Sequence, residues 1–296
     1  MSELGFTSKR KELIDSYMKE GGAFVAMTKP YKSTASILFE VVDAFPAAPA
    51  APTMAHAVAS QQQIRWFDYA VGNAIQDVLT NRAFQAPQSW TNQGKASETN
   101  GGVDFCIEGI SLSFRPPRFL YTEAAVPPAP ITNPNVRTFY DGIGVAGGAT
   151  VPPVSIDPAA LASPPQVGSP FNLEQAFAAG IAPALSILIQ FNREQSEYVG
   201  SADEFPEGGA RSYLRANGQP RVDNRYKIPE GYLWRRSGQV DSQMNIIGSL
   251  AEGIVVPINL VPLFGTAQPV VLPSRIAVDI VMRVHGLSVR RPSTNG

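Results

Sequence analysis

Proline and glycine interrupt this chain so often that long helices have little room. Twenty-six prolines and twenty-five glycines stand among 296 residues, together well above average usage. Proline lacks a backbone donor and clashes with the preceding helical turn, while glycine loosens the chain, so such a sequence turns often and favours short extended elements. The runs FPAAPAAP at 45–52, VPPAP at 126–130, VPPV at 151–154 and SPPQ at 163–166 suit neither a ladder nor a helix interior and read as extended connections.

Between these breaks the apolar pattern has a period of two. Ile276, Val278, Ile280, Met282 and Val284 share one face of an extended chain, opposite Ala277, Asp279, Val281, Arg283 and His285, as a half-buried strand requires. Val103, Phe105 and Ile107 alternate, and Ile110, Leu112 and Phe114 resume after a one-residue slip at Gly109, which marks a β-bulge. With 103–114 and 275–290, the segments 36–43, 64–71, 184–191, 225–234, 243–250 and 254–264 complete the strand set, so the fold class is all-β. The stretch from Ile64 is ambiguous. Ser60 with Gln63 fits a capping box, and Ile64, Phe67, Val71, Ile75 and Val78 recur at helical intervals. Its aromatic content and Gly72 favour a strand through Val71.

The N-terminal residues differ in character. Ser8 to Glu20 is a charged helix candidate that Gly21-Gly22 would stop. Residues 1–32 hold six Lys/Arg against four acids, so this segment reads either as a solvated terminal helix or as an arm reaching a neighbour, membrane headgroups or packaged nucleic acid. The proline run places a boundary near residue 50. Residues 1–52 are then an N-terminal arm, first strand and Pro/Ala linker, and residues 53–296 a barrel.

Composition narrows the function classes. Charged residues are 17% of the chain and hydrophobic residues 44%, against roughly 25% charged in soluble domains; a surface this poor in charge fits one covered by neighbouring subunits. A net charge of −1 gives no global field for nucleic acid. The single Cys106 excludes an intrachain disulfide and reads as a small buried hydrophobe. The start of the chain lacks a secretory pattern and no apolar run approaches about 18 residues, so a soluble, reducing compartment is expected.

The sequence offers no arrangement for catalysis. His56 and His285 have no second ligand at metal-binding spacing. Gly142, Gly144 and Gly147 spell G-x-G-x-x-G, but Thr150-Val151-Pro152-Pro153 follows where a phosphate-binding helix should begin. Ser8 and Lys11 match S-x-x-K on an exposed charged turn, without a dry pocket. Asp203, Glu204 and Glu207 lack calcium-loop spacing and read as a solvated loop. No catalytic, cofactor-binding or metal residue is therefore expected, and the chain is not read as an enzyme. Arg115, Arg118, Arg235-Arg236 and Arg290-Arg291 end predicted strands; they suit phosphate or, more economically, carboxylates at the rim of a neighbouring subunit.

The run W-F-D-Y-A-V-G (66–72), followed by L-T-N-R (79–82), A-P-Q-S-W (86–90) and F-C-I-E-G-I-S-L-S-F (105–114), resembles the first strands of jelly-roll coat proteins of tailless icosahedral bacteriophages. The ending I-V-M-R-V-H-G-L-S-V-R-R (280–291) is similar to the final strand, glycine and arginine-bearing tail of that family. The resemblance implies a jelly-roll β-barrel or sandwich in a virion shell, made in the host cytoplasm. Its partners would be copies of itself in trimers or pseudo-hexameric capsomers, other capsid proteins, and an internal membrane or genome reached by the N-terminal arm. It implies no small-molecule substrate, cofactor or catalytic residue. One jelly roll needs eight strands, as many as the segments above, and two need twice that. A single barrel with large insertions at 116–183 and 192–224 is favoured, with a double jelly roll as the alternative. The alternative function is a carbohydrate-binding or host-attachment jelly roll, which would expose Trp66, Trp90 or Trp234 for stacking on sugars. A cupin-like enzyme would need a histidine and carboxylate metal cluster that two distant histidines do not assemble.

Overall fold

The computed structural model describes residues 8–21, 23–28, 30–43, 54–100, 102–115, 117–120, 144–145, 177, 180–191, 195–202, 226–236, 242–250, 253–259, 270–271 and 274–290. A helix α1 (Ser8–Lys19) precedes the strands β1 (Val25–Thr28), β2 (Tyr31–Asp43), β3 (Met54–Ala59), β4 (Gln62–Trp66), β5 (Ala74–Gln76), β6 (Ala83–Gln85), β7 (Val103–Phe114) and β8 (Arg118–Leu120). Then follow β9 (Gly144–Val145), β10 (Leu185–Phe191), β11 (Gln195–Ser201), β12 (Tyr226–Trp234), β13 (Met244–Leu250), β14 (Ile254–Asn259), β15 (Val270–Val271) and β16 (Arg275–Arg290). The protein is mostly β-sheet, and each of the eight segments expected to be strands overlaps one.

Two antiparallel sheets carry the fold. The larger has the order β12-β7-β16-β2-β3-β14, with β1 and β8 also on β16, and curls into a half-barrel. The smaller has the order β11-β10-β13-β4. Along the chain the pairings nest: β2 with β16, β4 with β13, β7 with β12 and β10 with β11. Strands β1 and β2, which precede the proline run, both pair with the C-terminal strand β16.

Alternation decides what each face does. Ile276, Val278, Ile280, Met282 and Val284 of β16 point into one core with Ile37 and Phe39 of β2, Phe105 and Ile107 of β7, and Ile187, Met244 and Ile246 of the smaller sheet. Tyr31, Phe67, Phe105 and Trp234 form an aromatic group within it, with Tyr31 edge-on to Phe105 at 5.0 Å. Trp66 lies in the same core, and its Nε1–H donates across to the Ile280 carbonyl at 3.0 Å. The bulge expected near Gly109 is present. His285 pairs with Gly109 and Gly286 with Ile107, so Glu108 is the extra residue.

Several expectations are corrected. The strand expected over 64–71 stops at Trp66, because Phe67 turns to φ 65°, a left-handed conformation that breaks the alternation. Its N–H is taken by Ser33 Oγ at 2.8 Å and its carbonyl by Ser97 N–H at 2.6 Å. The alternative helix over 64–79 does not form; residues 74–85 make the small β5–β6 hairpin instead. Strand β11 lies inside the expected insertion 192–224 and pairs with β10. Residues 1–7, the linker at 45–52, Gly142 and Gly147, Asp203, Glu204, Glu207 and Arg291 lie outside the described residues. Among the described residues, no helix is long and apolar enough to cross a membrane.

Candidate functional site

The most organised polar region is the outer face of the larger sheet. Because β2, β16 and β7 lie side by side, their outward positions form rows across the strands. Lys32 stands opposite Arg283, and Arg283 opposite Ser111. Farther along, Ser36 stands opposite Asp279 and donates to its Oδ1 at 2.6 Å, while the Arg115 N–H donates to the Asp279 carbonyl.

Residues 67–100 run along the open edge of β2 and overhang this face. The Lys32 N–H donates to Asn92 Oδ1 at 2.7 Å, Thr34 Oγ1 donates to the Trp90 carbonyl at 2.9 Å, and the Tyr69 hydroxyl donates to the Thr34 carbonyl. Arg118 clamps the overhang to the sheet. Its two terminal nitrogens meet Asp77 Oδ1 at 3.0 Å and Asp279 Oδ1 at 2.9 Å, and its guanidinium lies 5.5 Å from the Trp90 ring centre. Burial disfavours the Arg118 charge, but the two carboxylates outweigh it and its pKa is raised. Asp77 is itself fixed by the Leu79 N–H and the Thr80 hydroxyl, the local bonding expected of an aspartate that opens a turn.

Beside this clamp lies a group of cations. The Arg115 Nη2 donates to the Ser89 carbonyl at 2.6 Å, and Arg283 Nη1 to Ser113 Oγ at 2.7 Å. Ser111 Oγ and His285 Nε2 are 2.8 Å apart. Lys32, Arg115 and Arg283 all have lowered pKa values. Burial is the first cause for each; at Arg115 it outweighs the attraction of Asp279, while Arg115 and Arg283 add repulsion at Lys32, and Arg115 at Arg283.

A second region is the seat of α1 on the same outer face, over β7, β12 and β16. Leu13 and Tyr17, one turn apart, cover Cys106, Leu287 and Val289. The Tyr17 hydroxyl donates to Asp104 Oδ2 at 2.7 Å, and the Arg236 N–H to Asp104 Oδ1 at 2.7 Å. Arg10 meets the bulge residue Glu108 at 3.2 Å, and Arg235 lies 3.6 Å from Glu12. The helical part of the expected arm is thus docked on its own chain.

The residues singled out by sequence fall unevenly. Arg118 pairs with Asp77 and Asp279, Arg235 with Glu12, and the Arg236 backbone N–H with Asp104. Trp66 and Trp234 are 1% and 0% exposed, so they cannot stack on a sugar; Trp90 is half-buried against Phe84, with ring centres 5.0 Å apart. His56 sits in β3 and His285 beside Ser111. Sequence reading missed Lys32, Asp77, Asp279 and Arg283, whose grouping depends on strand register. Compared with known protein families, curated proteins and solved structures, the chain matches none.

Proposed function

We propose that this chain is a non-enzymatic structural subunit of an icosahedral phage capsid, folded as a single eight-stranded jelly roll. The observation that carries the reading is the order of strands. Counting β2, β4, β7, β10, β11, β12, β13 and β16 as successive strands one to eight, the nested pairs are one with eight, two with seven, three with six and four with five. The first, third, sixth and eighth share one sheet and the other four the second. That order supports a long antiparallel hairpin rolled into two facing sheets, an architecture used by viral shells. It also favours one barrel over two, with β3 and β14 as additions to one edge.

The shell role adds the low charge content and the resemblance of residues 66–114 and 280–291 to tailless-phage coat proteins. Partners in this reading are further copies in trimers or pseudo-hexameric capsomers, other capsid proteins, and a membrane or genome inside the particle; the site of action is the virion. Light scattering and electron microscopy of the purified full chain, with its copy number in the parent particle, test it. Capsomers or closed shells are expected. A stable monomer that never enters a particle would overturn the proposal.

A further inference from the structure

We infer that the outer face of the larger sheet carries a binding site for a phosphate-class oxyanion, formed by Lys32, Arg115 and Arg283 under the overhang at residues 89–92. The starting observation is the register. Lys32 and Arg283 are direct cross-strand partners, a placement in which like charges destabilise a sheet. Arg115 reaches over the same face to the Ser89 carbonyl and adds to the repulsion on both. Among the described residues, neither Lys32 nor Arg115 forms an ion pair; Asp77 and Asp279 are both engaged by Arg118, and Asp279 also by Ser36. On this face Lys32, Arg115 and Arg283 stand together, and among the described residues the carboxylates beside them, Asp77 and Asp279, are engaged by Arg118.

A bound oxyanion would reverse the sign of that interaction. Guanidinium forks and an ammonium match a tetrahedral anion, whose oxygens accept several charge-assisted bonds at once. The hydroxyls of Ser111 and Ser113 lie in the same rows and add neutral donors. A carboxylate, with two oxygens, would use fewer of these donors. The overhang beside them is anchored to β2 through Asn92 and Trp90.

Inorganic phosphate is the probe, added to the full chain with chloride at matched ionic strength as the reference. At ten times its dissociation constant, phosphate should raise the unfolding midpoint by about 3 °C. Lys32→Gln should keep or raise the phosphate-free midpoint, since repulsion is relieved, and weaken phosphate binding at least tenfold; Lys32→Arg should retain the response. An equal rise with chloride, or an undiminished phosphate response in Lys32→Gln, overturns the site. Sedimentation with phosphatidylglycerol vesicles, compared with phosphatidylcholine, separates the sources. Lys32-dependent co-sedimentation together with the phosphate response assigns a lipid headgroup, and the phosphate response without it assigns a free anion.

Discussion

Gly286 occupies the tightest point of the sheet. A Cβ there would lie 1.7 Å from the Cys106 carbonyl oxygen, because the bulge at Glu108 draws the backbones of β7 and β16 together. Neither strand can withdraw without opening the ladder, so Gly286→Ala should destabilise by about 3 kcal/mol or more. Gly248 is a milder case. Its obstacles are the side chains of Ile64 and Trp66, each at 2.8 Å, and those can shift. Gly248→Ala should destabilise by about 1–3 kcal/mol, and urea unfolding of the two variants checks the order. The tyrosines give the pH dependence. Burial raises the phenol pKa of Tyr17, Tyr31 and Tyr69, to about 12 for Tyr69. An unfolded chain loses these protons near pH 10, before the folded one does. Their contribution is complete below pH 10 and is lost as pH rises toward the folded values. Each tyrosine then adds up to about 1.4 kcal/mol per pH unit to the slope. Tyr69→Phe should lower the slope of stability between pH 10 and 12 by one such share, and a slope equal to wild type would refute the assignment.

Among the elements, α1 is the one whose attachment can be measured alone. Cys106 is completely buried beneath Leu13 and Tyr17, so thiol labelling of the native protein reports the detachment of the helix. Leu13→Ala removes a fully buried side chain, a loss of about 2–5 kcal/mol, and should speed Cys106 labelling roughly a hundredfold or more if the helix opens without global unfolding. Labelling that tracks only global stability would mean that α1 is not an independent unit. The helix and its end at Gly21 were legible because a charged run and a stop signal agree. Strand β7 was legible to the residue, bulge included, because large apolar side chains alternate on both sides of Gly109. Strands β3 (MAHAVA) and β11 (QSEYVGS) were not, since small or polar side chains carry too little contrast to reveal a period. Phe67 gave no warning of its turn, because nothing about a phenylalanine marks a positive φ. Sequence did single out Arg115 and Arg118. What it could not provide was their setting, since Ser36 and Asp279 meet across 243 residues of chain and only strand order brings them together.

For the whole molecule, the outer face of the larger sheet is unevenly covered, and that asymmetry bears on assembly. At one end α1 is docked over β7, β12 and β16; in the middle residues 67–100 overhang β2 and β16. At the β3–β14 end, Val42 is 49% and Val255 57% exposed. Val255 stands beside Val58, itself an outward position, so the two form a small apolar spot next to the edge strand β14, with Glu40 beside Val58 and His56 beside Val42. Pro257 in that strand has no N–H to offer another strand, which discourages sheet extension at this edge. In the shell reading, side-chain packing on the face is then the contact this end would make with another copy. Under the shell reading, Val255→Asp should leave monomer stability within about 0.5 kcal/mol, as for other exposed substitutions. It should sharply reduce capsomer formation, because a charge brought into an apolar contact must be desolvated without a partner. Light scattering on the variant and the wild type decides it: unchanged assembly would move the contact to another face, and unfolding of the variant would mean that Val255 supports the sheet itself.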